Sequence, residues 1–293
     1  MRILSIGEFF KSKFRIKFNV LSRGIRLNSQ RTSLILLLII CIYFPGHLFG
    51  KFTITYEQPT NSNHKLLYKT LKKHHQEIYG DAIGFLNDLY ALTADIEIIV
   101  RDCGSIDSRY VPEEQRIYIC YESIQNKVRD YRYAPKNEKV YSQRVFDNAV
   151  FTFWHEIGHA VIDDFNLPKS DGELNLEDLA DEFAVISMML RKDDKWMNAI
   201  TISALHYKNK HIRSNNDGAG GYEEHSPDID RYHNMIILLY GFRPNSFSRL
   251  KSRIDEIPGP PINCQQHFQN RYKYWAVLLQ PPLTKRFYFK QVF

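Results

Sequence analysis

Two histidines four residues apart with a glutamate between them, His155-Glu156-Ile157-Gly158-His159, constrain this chain more than any other feature. On an α-helix, His155 and His159 project from one face, one turn apart. Two imidazoles so placed suit a tetrahedral Zn²⁺ that keeps room for a third protein ligand and a water molecule. Glu156 lies beside them, where a carboxylate takes a proton from that water. The small residues Gly158 and Ala160 suit close packing of this helix against a neighbour.

That neighbour is legible as well. Glu177-Asp178-Leu179-Ala180-Asp181 opens the next strong helical pattern, after a loop at 166–175 whose Pro168 and Gly172 can turn the chain back. Glu177 and Asp181 share a face. Glu177 then serves as the third ligand, and Asp181 accepts the distal N–H of His155, orienting the imidazole. The plainer alternative is an acidic first turn complementing the helix dipole. A buried Asp181 with no partner is costly, which favours the ligand reading. The other zinc-protease arrangement needs Gly at 162 and His at 165, and Ile162 and Phe165 exclude it.

The 293 residues are 44% hydrophobic and 14% aromatic, enough for a sizeable core and against global disorder. The net charge of +6 is concentrated at one end. Of 39 basic and 33 acidic residues, 1–50 hold eight basic ones against Glu8 alone, so the remainder is near neutral. Nothing in it argues for nucleic-acid binding. The basic tail precedes an uncharged run at 32–50, most apolar at 34–44, as in a secretory signal or an N-terminal membrane anchor. Positive residues ahead of the run stay on the cytoplasmic side, which sends the body across the membrane. The expected location is exported, either periplasmic or held to the inner membrane by the N-terminus. Cleavage and anchoring both stay open.

Behind this segment, 51–65 reads as a polar connector and 66–293 as one domain. Helical spacing appears over 64–92 with a break at Gly80, then over 139–165, 176–191, 196–212 and 228–240, the last ended by Gly241. Between them, 95–121 reads as two alternating strands of a hairpin ending at Cys103 and Cys120. The expected fold is α+β: mostly helical, with a small antiparallel sheet. A hairpin can bring Cys103 and Cys120 together as a disulfide, leaving Cys264 free. Two independent buried cysteines are the competing reading. The strand at 115–119 offers an edge on which an extended peptide can pair.

H-E-x-x-H followed by E-x-x-x-D on the next helix resembles the gluzincin pattern of thermolysin-type peptidases. The longer runs FWHEIGHAVID, LEDLADEFA and EEHSPDIDRYHNMIILLYG are similar to a little-characterised bacterial family read as zinc metallopeptidases, over about 66–281. The resemblance implies zinc, an exported location and a zincin-like fold acting on a peptide or protein substrate. It also implies an oxyanion-stabilising histidine downstream of the metal helices. His225 matches best and Tyr222 less well; a capping or surface role is the alternative for His225. One departure is that Ile237 and Leu238 stand where relatives tend to carry a cysteine, leaving Cys264 without an evident partner.

The mechanism expected is amide hydrolysis with His155, His159 and Glu177 on zinc and Glu156 as general base. A competing class is a zinc-stabilised, non-catalytic envelope protein, which a fourth protein ligand such as His225 would favour. A zinc enzyme acting on a cell-wall amide is the third possibility.

Overall fold

The structure, a computed structural model, describes residues 49–130, 138–172, 174–217 and 226–280. The basic tail and the apolar run up to residue 48 lie outside the described residues, as does His225. Among the described residues no helix is long and apolar enough to cross a membrane.

Short runs of β-branched and aromatic residues form the strands β1 (Phe52–Tyr56), β2 (Ile96–Arg101), β3 (Arg109–Val111) and β4 (Arg116–Cys120). They make one sheet in the order β1-β2-β4-β3. β1 and β4 both run parallel to β2, and only β3 and β4 are antiparallel. The sheet is therefore mixed, which corrects the expected antiparallel sheet and the hairpin over 95–121. Alternation marks a strand and says nothing of its direction. Here the chain after β2 first forms β3, turns through Pro112–Glu114 with Gln115 at φ 52°, and returns as β4 between β2 and β3.

The cysteines meet because of that topology. Arg101 lies opposite Cys120 in the parallel register, so Cys103 sits at the same end of the sheet as Cys120. The two are joined as a disulfide with a Cα–Cα distance of 5.4 Å. In a simple hairpin the end of the first strand would face the start of the second, and Cys120 would be out of reach. Cys264 is free and buried.

The connector expected at 51–65 is also corrected. Phe52–Tyr56 is sheet, with Phe52 in the core, because Asn87 closes the outer edge of β1 by accepting from Phe52 N (2.8 Å) and donating to Phe52 O (2.9 Å). The crossover from β1 to β2 is helical: α1 (Lys65–Lys73), a π-helical turn at Gln76–Gly80 and α2 (Asp81–Leu89).

The rest is a helical body: α3 (Tyr121–Asp130), α4 (Glu138–Asp164), α5 (Leu176–Leu190), α6 (Asp194–Asp217), α7 (Asp228–Phe242), α8 (Lys251–Asp255) and α9 (Cys264–Leu279). α4 packs on α5, α6, β3 and β4, which puts it between the sheet and the other helices. Its Trp154 is fully buried against Trp196 of α6. α4 and α5 cross at Gly158, where an added Cβ would stand 2.9 Å from the Ala180 carbonyl oxygen and 3.0 Å from Ala180 Cα. Gly241 lies within α7 and does not end it. The Cys264 carbonyl of α9 fills the space a side chain would need, so that glycine serves packing.

Candidate metal centre

The loop between α4 and α5 delivers α5 with a defined start. Asn175 caps it, its side chain accepting from Asp178 N (3.0 Å). Glu177 thus falls in the first turn, across from the 155–159 turn of α4. His155 Nε2 and His159 Nε2 are 3.1 Å apart. Glu177 Oε2 lies 3.1 Å from the former and 3.4 Å from the latter. In a tetrahedron with metal–ligand distances of ~2.0–2.1 Å, neighbouring donors stand about 3.3–3.4 Å apart. The three atoms therefore occupy positions close to one face of such a tetrahedron, and the residues fit a four-coordinate ion with nitrogen and oxygen ligands.

The donors and Glu156 line an open cleft of about 780 Å³, with β3, the 106–108 loop and Lys210 of α6 around it. Glu156 is buried, and its Oε2 accepts a hydrogen bond from the Tyr110 backbone N–H at 2.8 Å. The Tyr110 hydroxyl donates to Asp163 of α4 at 3.1 Å, so one residue ties β3 to α4 twice. β3 is also the outer strand beside the cleft, whereas β4 is paired on both sides. The strand at 115–119 therefore offers no free edge, which corrects that expectation; the outer strand is Arg109–Val111, and its Tyr110 N–H is taken by Glu156.

Behind the donors, Asp181 Oδ1 accepts from His155 Nδ1 at 2.8 Å. Asp181 is in turn held by Arg231 of α7 through Nε (2.6 Å) and Nη2 (2.7 Å), and the guanidinium lies 4.1 Å from the centre of the Tyr207 ring. All three charged groups of the chain Arg231–Asp181–His155 are buried. Burial alone would raise the Asp181 carboxyl, but Arg231 and then His155 outweigh it and hold it well below the usual carboxylate range. Burial likewise works to lower His155. Its bond and charge interaction with Asp181, then Glu177, prevail and lift the imidazole to about 9. Glu156 is pushed above its ordinary value by burial, with the two histidines acting in the opposite direction.

The structure thus brings together His155, Glu156, His159, Glu177 and Asp181. His225 and Tyr222 lie outside the described residues. Sequence reasoning missed two contacts. The contact of Arg231 with Asp181 spans fifty positions, and no local pattern reports it. The Tyr110 amide carries no sequence signal at all, since it depends on the strand order.

A second group of possible donors, His64, Asp102 and Glu122, lies by the disulfide. Asp102 Oδ2 already accepts from the backbones of Thr60 and Asn61 and from the Thr60 hydroxyl, while Oδ1 bonds His64. Glu122 accepts from the Cys103 and Gly104 N–H groups. These bonds make a clasp that ties the end of β2 to the segments around it.

A mostly helical α+β body carrying two imidazoles and a carboxylate on one open cleft defines a protein equipped to hold a metal ion beside a buried glutamate. Residues 56–279 match the model of a family described as "putative metallopeptidase", and the chain belongs to that family. No curated protein and no solved structure matches it.

Proposed function

We propose that this chain is a zinc-dependent peptidase of gluzincin type, with a zincin-like arrangement of its metal helices. The observation that carries the reading is the convergence of His155, His159 and Glu177 at 3.1–3.4 Å on an open cleft, with Glu156 beside them. Bound zinc supplies Lewis acidity toward the scissile carbonyl and the attacking water. His155, His159 and Glu177 hold it, and Asp181 fixes the ring of His155 through Nδ1. Glu156 receives the proton of the water at its carboxylate and passes it to the leaving amine. In the metal-free chain burial raises its pKa, and the Tyr110 N–H holds one of its carboxylate oxygens in place. His225 is assigned to the oxyanion on sequence grounds alone.

An open cleft favours catalysis over the non-catalytic alternative, because structural zinc sites are usually closed by four protein ligands. The Cys103–Cys120 disulfide supports an exported location, as such bonds persist in oxidising compartments. A basic tail ahead of an apolar run supports the same assignment, with the N-terminus as anchor if it is retained.

Elemental analysis of the full chain tests the metal site, comparing wild type with Glu177→Ala and Glu156→Gln. About one zinc per chain in the wild type and in Glu156→Gln, and much less in Glu177→Ala, is the expected result. Peptide cleavage falls by ~10²-fold or more in Glu156→Gln. No zinc in the wild type after expression with zinc present removes the proposal. Undiminished cleavage by Glu156→Gln removes the general-base assignment.

A further inference from the structure

The cleft has a charge arrangement that the hydrolytic centre does not use. Three basic side chains line it from three separate elements: Arg109 of β3, Lys169 of the loop after α4, and Lys210 of α6. The two lysines have carboxylate neighbours. Lys169 Nζ lies 3.8 Å from Asp163 Oδ1, and Lys210 Nζ lies 3.3 Å from the buried Asp228. Arg109 has no ion-pair partner among the described residues, although Asp107 lies two positions away on the same rim.

Its position is defined by its neighbour. Tyr110, the next residue, gives its backbone N–H to Glu156 and its hydroxyl to Asp163, which fixes β3 against α4 at the catalytic glutamate. Pairing of residues 109–111 with 116–118 of β4 fixes the other side of the strand. Arg109 is thus an exposed arginine on a backbone held at both edges, one Cα step of about 3.8 Å from the residue that touches Glu156. A peptide residue spans ~3.3–3.6 Å, so the guanidinium is within reach of groups one or two residues from a bond attacked beside Glu156.

We infer that Arg109 binds a carboxylate of the substrate close to the scissile bond, making this cleft selective for peptides that carry one there. This assignment rests on the peptidase reading of the same cleft and names its substrate class. The planar guanidinium offers a two-pronged donor that matches a carboxylate, which an amide side chain of the same shape satisfies poorly. Asp107, Glu156, Asp163 and Glu177 share the cleft and Lys169 and Lys210 each face an aspartate, so recognition rests on the Arg109 fork and not on a positive field. The carboxylate has two chemical sources, an acidic side chain or a free C-terminus.

The test uses the full chain loaded with zinc and carrying Glu156→Gln, so that binding is read without turnover. Peptides are supplied in pairs differing only by Glu or Gln at one position scanned along the sequence, each with a free and an amidated C-terminus. The expected result is a Kd about tenfold lower for Glu than for Gln at one position, or for the free over the amidated end. Which pair responds identifies the source. The ratio collapses toward one when Arg109→Gln is added, is partly kept by Arg109→Lys, and shrinks as salt rises. Equal Kd values across all pairs, with cleavage by the wild-type chain intact, overturn the inference alone. A ratio that survives Arg109→Gln does the same. Failure of any peptide to bind, together with no cleavage by the zinc-loaded wild type, overturns it along with the peptidase reading.

Discussion

Arg231 holds Asp181 through two hydrogen bonds of 2.6 and 2.7 Å, and the Oδ1 atom that Nη2 grips also accepts from His155. The carboxylate is thereby held by two prongs of the guanidinium, which balances its charge without a metal ion. Removing the arginine leaves a buried carboxylate with only an imidazole to face. The expected cost of Arg231→Met is about 3–5 kcal/mol of folding stability. The chain that still folds should bind zinc 10- to 100-fold more weakly, because the ring of His155 is no longer held. Denaturant unfolding and competition with a chromogenic chelator measure the two effects. Unchanged zinc affinity in a folded Arg231→Met chain would show that Asp181 needs no such support.

Gly158 allows the backbones of α4 and α5 to come together within the turn that carries His155 and His159. With alanine there, the new Cβ meets backbone atoms of Ala180 at 2.9 and 3.0 Å, so a helix has to shift. Gly158→Ala should destabilise by about 1–3 kcal/mol, as overpacked sites do. It should also weaken zinc binding, because the shift separates Glu177 from the histidines. A thermal melt of the metal-free chain and a zinc titration separate these consequences; a tighter zinc site in Gly158→Ala would refute the account.

The metal-free chain keeps its His155 imidazole protonated up to about pH 9. The folded pKa is raised above the ordinary value of about 6.5, so the contribution to stability is fully present below 6.5. It is lost as pH rises through 9. The metal-free chain should therefore lose stability between pH 6.5 and 9. Over the same window zinc binding should tighten by up to about tenfold per pH unit, as one proton is released for each ion bound. Calorimetric titration in buffers of different ionisation enthalpy counts that proton. A count near zero at pH 7 would contradict the assignment.

The disulfide Cys103–Cys120 closes a short loop that includes Ile106, Asp107 and Ser108 of the cleft wall. Replacing both cysteines with alanine should cost about 3 kcal/mol by chain-entropy reasoning for a loop of this size. The Ser108 hydroxyl accepts from Cys120 N at 3.2 Å and keeps part of the wall in place, so zinc content should be preserved while peptide binding weakens. Parallel zinc and peptide-binding measurements test this split, and loss of zinc in a folded double variant would count against it.

The two helices of the candidate metal centre were readable from sequence because their pattern is local. His155 and His159 share a helix turn, and Glu177 and Asp181 share the next, so spacing alone places them. The strand order was not readable. Residues 96–101 and 116–120 alternate in the same way whether they run parallel or antiparallel, and only packing decides. The cysteine pairing was expected from a hairpin that would have kept the two apart; it forms because β2 and β4 run parallel. Phe52–Tyr56 was masked by the polar residues that follow it. Arg231 and the Tyr110 amide depend on tertiary structure, and no short pattern reports either.

The clamp on Asp181 also sets an order of events during synthesis. Residues 155–181 carry the donors and the carboxylate behind them, and they leave the ribosome well before Arg231 does. A nascent chain therefore possesses all three donor side chains while their supporting guanidinium is still unmade. With zinc held as proposed, full affinity is expected only once α7 has docked, which ties completion of the site to the last third of the polypeptide.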